Sequence, residues 1–184
     1  MKAADILTQV DLGWTLFLDR DGVLNRRIRD DYVRTWAEWE WLPEVLEALA
    51  ELSKRFGQLV VVTNQRGIAR GFYTEADLAG IHAKMKADVE AAGGRIDAVY
   101  FCPHDKEEGC DCRKPEPGMI LKAAKELPGV DLKRSLLVGD SLSDMQAAKA
   151  AGIPAVFVGE MGVSMPRNVL TALPDLATFA RLLS

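Results

Sequence analysis

The sequence predicts an α/β fold with a central parallel sheet covered on both faces. Three observations predict it. Short β-rich apolar runs alternate with amphipathic helical stretches along the chain. The apolar runs are uninterrupted, as strands buried on both faces of a parallel sheet require. No repeat, low-complexity tract or linker divides the 184 residues, so one domain over residues 1–184 is expected, with a full core.

The elements follow in order. Residues 14–18 form an apolar run that ends at Asp19. Residues 43–56 place Val45, Leu46, Leu49, Leu52 and Phe56 at helical spacing, with Pro43 suited to the first turn and Gly57 to the end. Residues 59–62 are the next strand. Thr74 can cap a helix that stops at Gly93 and Gly94. A third strand is expected over 98–101, then a helix over 117–127 with Ile120, Leu121, Ala124 and Leu127 on one face. Residues 135–138 form a strand, 143–151 a helix stopped by Gly152, and 155–158 a strand. Leu176, Phe179, Leu182 and Leu183 indicate a terminal helix.

Composition narrows the function. The net charge is −4 and the pI about 5.3, which argues against a nucleic-acid binder with its broad basic surface. Basic residues cluster locally at Arg26, Arg27, Arg29 and Arg34, a pattern suited to a small anion. No apolar run approaches membrane-span length. The first thirteen residues carry Asp5 and Asp11 without a basic-then-apolar layout, so a cytoplasmic protein is expected; it is expected to be a monomer.

In open parallel sheets, ligands bind beyond the carboxyl ends of the strands. Asp19 and Asp21 follow the first strand, Thr63 and Asn64 the second, Gly139 and Asp140 the fourth. Polar groups from distant parts of the chain therefore collect at one edge. Clustered carboxylates repel and call for a cation, and hard oxygen ligands favour Mg²⁺. A single Asp at a strand end more often caps a helix or faces water, so the weight rests on the ensemble. Lys114, in Arg113-Lys114-Pro115, offers a charge to a phosphate, and Thr63 a hydroxyl donor.

The three cysteines all lie between positions 102 and 112. Cys102, His104, Cys110 and Cys112 make a Cys₃His set, a common tetrahedral zinc arrangement that needs no further ligand. The competing reading is three free core cysteines and a loop histidine. Pro103, Gly109 and the charged run 105–108 mark the segment as loop, which favours structural Zn²⁺. The segment leads directly into Arg113 and Lys114 and would pin both.

Asp19-x-Asp21, Thr63, Lys114 and Gly139-Asp140 with Asp144, in this order, resemble the four motifs of the haloacid dehalogenase superfamily, from Phe17 to Val158. The resemblance implies a Rossmann-like three-layer sandwich and an aspartate-nucleophile phosphatase. Asp19 would attack phosphorus and Asp21 act as general acid and base, with Thr63 and Lys114 holding phosphoryl oxygens. Mg²⁺ would be held by the Asp19 carboxylate, the Asp21 carbonyl and Asp140. Asp144 would support Lys114. The stretches after Asp21 and Thr63 are too short for a separate cap domain. Trp36, Trp39 and Trp41 either stiffen a flap or pack.

The zinc pattern narrows the resemblance to a group of small phosphatases acting on heptose 1,7-bisphosphate or on histidinol phosphate. The stretch 63–71 resembles the heptose enzymes, which implies substrate contacts by Tyr32, Asn64, Gln65, Arg66, Gly67 and Arg113. Arginines on segments near the site suit a sugar bisphosphate, whereas histidinol phosphate carries an amine that they would repel. Two departures are visible. The link from His104 to Cys110 is short, as in the histidinol-phosphate group, and Ser141 stands where some heptose enzymes carry a basic residue.

Overall fold

The computed structural model describes residues 3–160 and 165–184. Helices α1 (Ala3–Leu7), α2 (Val45–Arg55), α3 (Glu75–Ala91), α4 (Gly118–Glu126), α5 (Leu142–Ala150) and α6 (Leu176–Leu182) surround six strands. These are β1 (Thr15–Leu18), β2 (Gln58–Asn64), β3 (Ala98–Cys102), β4 (Ser135–Gly139), β5 (Ala155–Val158) and β6 (Val169–Leu173). They form one parallel sheet in the order β3-β2-β1-β4-β5-β6.

The uninterrupted apolar runs have the structural cause expected of them. Strand side chains alternate between faces, and here both faces are covered. Leu16, Leu18, Leu59, Val61, Leu136, Val138, Val156 and Val158 point to one cluster, filled from α2, α3 and α6 by residues such as Leu49, Met85 and Phe179. Phe17, Val60, Val62, Leu137, Ala155 and Phe157 point to the other, closed by Met119 and Ile120 of α4 and Met145 and Ala148 of α5. Each fully buried Leu, Val or Phe contributes about 1.5–3 kcal/mol, so the two layers hold the sheet from both sides.

Helix boundaries follow the cap chemistry. Thr74 caps α3, with its hydroxyl accepting from the Asp77 N–H and Asp77 answering the Thr74 N–H. Helix α2 starts later than its apolar spacing suggests: Glu44 is left-handed at φ 57°, so the helix begins at Val45 and Pro43 precedes it. Likewise α4 begins after Pro117, and α5 begins one residue early because Ser141 and Asp144 form a capping box. Two elements have no clear sequence signal: the short α1, and β6, whose five residues are only half-buried at the sheet edge.

Strand order decides where the chemistry sits. β2, β1 and β4 are neighbours, so their carboxyl ends bring residues 63–65, 19–21 and 140 side by side. The Asp19 N–H donates to the Val138 carbonyl at 3.0 Å, which extends the β1–β4 ladder up to the first acid.

Candidate active site

Asp19 is 5% exposed. Its Oδ1 accepts from the Arg20 backbone N–H at 2.8 Å and lies 2.7 Å from Lys114 Nζ. The lysine is buried too. Its ammonium also lies 2.5 Å from Asp144 Oδ1 and donates to the Val62 carbonyl at 2.9 Å. Two carboxylates beside the ammonium and one hydrogen bond to a carbonyl keep a buried cation charged. Burial opposes the charge, but Asp144 and Asp19 outweigh it and hold the lysine above its ordinary range. The Lys114–Pro115 peptide is cis.

Asp140 stands across from Asp19. Burial raises its carboxyl to about 8, with the Asp19 charge adding to it and Arg27 opposing. Asp19 itself is raised to about 6, first by burial and then by Asp144, against the pull of Lys114. Oxygens of Asp19, Asp140 and Asp144 all lie within 4.8 Å of one another, a group that could hold a metal ion. Gly22 permits this crowding. Its φ is 97°, and a Cβ there would come within 1.9 Å of Asp140 Oδ2.

Asp21 is held differently. Burial raises its carboxyl, but the Arg20 charge and hydrogen bonds from Arg20, Asn25 and Gln65 outweigh it and leave the group below the usual range. Arg20 Nη2 donates at 2.9 Å, Asn25 Nδ2 at 2.9 Å and Gln65 Nε2 at 3.0 Å. Gln65 also donates to Thr63 Oγ1 at 2.8 Å and accepts from the Tyr73 hydroxyl at 2.6 Å. Its side-chain amide thus joins Asp21, Thr63 and Tyr73.

Arg20 is fully buried beside Trp39. Its Nη1 lies 3.1 Å from His82 Nε2 on α3. Burial and the Arg20 charge push His82 down to about 3, so its ring is neutral and can accept from the guanidinium. Trp39 stacks on Trp36 and meets Trp41 edge-on, and Trp41 donates to Asp88 of α3. The tryptophans therefore pack beneath the nucleophile loop against α3.

A cavity of about 340 Å³ opens above these groups, lined among others by Asp19, Asp21, Tyr32, Asn64, Arg66 and Arg113. Tyr32 packs on Phe72 and Tyr73, and its hydroxyl accepts from Arg66 Nε at 2.8 Å. Asn64 turns to the Lys114 backbone, with which it exchanges two hydrogen bonds. Gly67 lies against the Tyr73 ring, where a Cβ would approach to 2.3 Å. Arg113 lines the cavity and donates to the His104 carbonyl at 3.3 Å. Lys106 and Ser143 line it too, with no motif to single them out. His82, Tyr73 and the inward course of Arg20 were also beyond sequence reasoning, because each acts through a partner on another element.

Cys102 Sγ, His104 Nδ1, Cys110 Sγ and Cys112 Sγ converge within 4.8 Å of one another. Cys102 lies 3.1 Å from Cys112 and 3.5 Å from Cys110, and His104 Nδ1 lies 3.2 Å from Cys112. All three thiols are free. The neighbouring Gln65 N–H donates to the Cys102 carbonyl, Ala69 to Pro103 and Gly118 to Asp111. The cluster thereby ties the end of β3 to the loop after β2 and to the start of α4.

Comparisons with known proteins show what the chain is similar to. Residues 111–179 match the HAD-hydrolase-like family model. A D-glycero-beta-D-manno-heptose-1,7-bisphosphate 7-phosphatase of Pseudomonas aeruginosa is 42% identical over 171 residues, 90% of this chain and 94% of that one. A D-glycero-alpha-D-manno-heptose-1,7-bisphosphate 7-phosphatase of Mycobacterium tuberculosis is 41% identical over 79% of this chain and 80% of its own. A crystal structure of D,D-heptose 1,7-bisphosphate phosphatase from B. bronchiseptica, complexed with magnesium and phosphate, superposes with a TM-score of 0.85 at 39% identity. That superposition covers 92% of this chain and 97% of that one. No described helix is long and apolar enough to cross a membrane.

Proposed function

Because the chain belongs to the HAD-like phosphatases, and among them to the D-glycero-D-manno-heptose-1,7-bisphosphate 7-phosphatase family, we propose that it removes the 7-phosphate of such a sugar bisphosphate through an aspartyl-phosphate on Asp19. The observation that carries the reading is the Asp19–Lys114–Asp144 chain beneath a cation-lined cavity. It gives a buried carboxylate a fixed orientation and a permanent counter-charge at the place where a phosphate would enter.

Asp19 attacks phosphorus in line, and the bond from phosphorus to the sugar oxygen breaks as the acyl-phosphate bond forms. Asp21 gives its proton to the departing oxygen. It then takes one from the water that attacks the intermediate, which releases phosphate and restores Asp19. Its low-lying carboxylate in the resting protein suits the base step directly. For the acid step, the arriving phosphate charge must raise it. Thr63 and Lys114 hold the transferring oxygens. Gln65, fixed by Tyr73, keeps Asp21 and Thr63 in register.

The Asp19 carboxylate, the Asp21 carbonyl and Asp140 would hold Mg²⁺. All are hard oxygens, and a positive guanidinium nitrogen of Arg27 already lies against all three. When bound, the ion neutralises charge on the nucleophile and on the phosphoryl group. The Cys₃His cluster would hold Zn²⁺. Its donor atoms are spaced close to what thiolates about 2.3 Å from one ion would adopt.

Arg66, Arg113 and Tyr32 line the cavity together with Lys114 and would engage the second phosphate and the sugar. Histidinol phosphate, the alternative substrate, would bring an amine to that cationic rim. Asp19→Asn should abolish phosphate release while leaving the fold intact. In the wild-type enzyme, both anomers of heptose 1,7-bisphosphate should outpace histidinol phosphate in a phosphate-release panel. Turnover by Asp19→Asn near the wild-type rate would refute the covalent route, and faster release from histidinol phosphate would refute the substrate.

A further inference from the structure

Arg27 lies eight residues beyond the nucleophile, on the segment leading to Tyr32, and its side chain is 50% exposed. Its Nη2 donates to the Asp21 carbonyl at 2.9 Å and to Asp140 Oδ1 at 2.8 Å, and lies 3.9 Å from Asp19 Oδ2. These are the three groups assigned above to Mg²⁺. They follow the neighbouring strands β1 and β4, and Asp140 packs so closely on Gly22 that a methyl group there would meet it. The neighbouring arginine behaves otherwise: Arg26 points away and pairs with Glu40 at 3.0 Å.

Two cations cannot share this place. An octahedral Mg²⁺ sits about 2.0–2.1 Å from its oxygens. A guanidinium nitrogen hydrogen-bonded to two of the same groups fills that volume. We propose that Arg27 is a tethered competitor of the divalent ion: it seats on Asp21 and Asp140 in the metal-free protein and must leave when the ion enters. This rests on the reading that these oxygens hold Mg²⁺. Seated, the guanidinium supplies hydrogen-bond donors to two oxygens that the ion would otherwise coordinate. The apparent metal affinity is then the intrinsic affinity reduced by the fraction of molecules with Arg27 unseated.

The test is calorimetric titration of Mg²⁺ into the wild-type protein, Arg27→Met, Arg27→Gln and a control, Arg26→Met. The protein is freed of Mg²⁺ by gel filtration without chelator, which leaves the cysteine cluster undisturbed. Both Arg27 variants should bind Mg²⁺ roughly three- to tenfold more tightly than wild type. Arg26→Met, which removes the same charge from the same segment without vacating the site, should stay within about twofold. Thermal unfolding adds a second readout: metal-free Arg27→Met should melt below metal-free wild type, and the difference should vanish in saturating Mg²⁺. Unchanged or weaker Mg²⁺ binding in the Arg27 variants would overturn the proposal, as would an equal gain in Arg26→Met. Failure of every protein to bind Mg²⁺ would overturn the metal assignment itself and the proposal with it.

Discussion

Asn64 and Lys114, 50 positions apart, are joined by two opposed hydrogen bonds: the Asn64 amide donates to the Lys114 carbonyl at 3.1 Å and accepts from the Lys114 N–H at 3.0 Å. The last residue of β2 therefore fixes the backbone of the lysine whose ammonium rests on Asp19. Family resemblance suggests a substrate contact for Asn64, but its side chain is engaged with the protein.

Asn64→Ala should accordingly impair the chemical step. A partly buried N–H loses its partner, at about 1–3 kcal/mol of stability, and Lys114 loses its placement. Steady-state kinetics should show kcat reduced roughly ten- to a hundredfold with KM little changed. A raised KM with normal kcat would return Asn64 to a substrate role.

The metal-free protein should lose stability as pH rises from about 6.5 to 8. Asp140 is raised to about 8 by burial and Asp19, whereas an unfolded Asp ionises near pH 4. The folded state therefore holds a proton that the unfolded chain has released, so unfolding releases it and stability falls with rising pH. His82, depressed to about 3, acts in the opposite sense only below about 6.5. Melting temperatures across that window should fall without Mg²⁺ and flatten with it. Mg²⁺ affinity should rise by up to about tenfold per pH unit while it displaces the proton.

Zinc should be present at one equivalent per chain, by elemental analysis of protein purified without chelator. Cys110→Ser should lower both the melting temperature and kcat, because Arg113 and Lys114 follow the cluster directly. Absence of zinc, or full activity with the ligand set broken, would remove the cluster from the account.

Arg113→Ala should discriminate between substrates. One charge-assisted hydrogen bond is worth about 1.5–3 kcal/mol, so kcat/KM on heptose bisphosphate should fall about ten- to a hundredfold. The loss on p-nitrophenyl phosphate, which has no second phosphate, should be much smaller. Equal losses would place Arg113 on the reacting phosphoryl group.

Much of this site was legible in the sequence because parallel α/β architecture converts strand ends into a shared edge. Asp19, Thr63 and Asp140 each follow an apolar run, and neighbouring strands bring them together. The cysteine cluster was legible because its four donors lie within eleven residues. What escaped depends on contacts without a local pattern. Arg20 stands between two acids in the sequence, and its side chain is buried against a histidine 62 positions away. Gln65 and Asn64 turn toward Asp21 and Lys114, and Arg27 turns from the rim onto Asp140. At the edge of the sheet, β6 is half-buried and carries little hydrophobic signal.

The central claim, a phosphatase that takes the 7-phosphate of a heptose bisphosphate, is tested most directly by following both phosphates at once. Phosphorus NMR of heptose 1,7-bisphosphate, incubated with the Mg²⁺-supplied enzyme, resolves the primary phosphate at carbon 7 from the anomeric phosphate. The account predicts that the 7-phosphate signal disappears as inorganic phosphate grows, with the anomeric signal retained and one phosphate released per sugar. Loss of the anomeric phosphate first, or of neither under conditions where histidinol phosphate is hydrolysed, would contradict it.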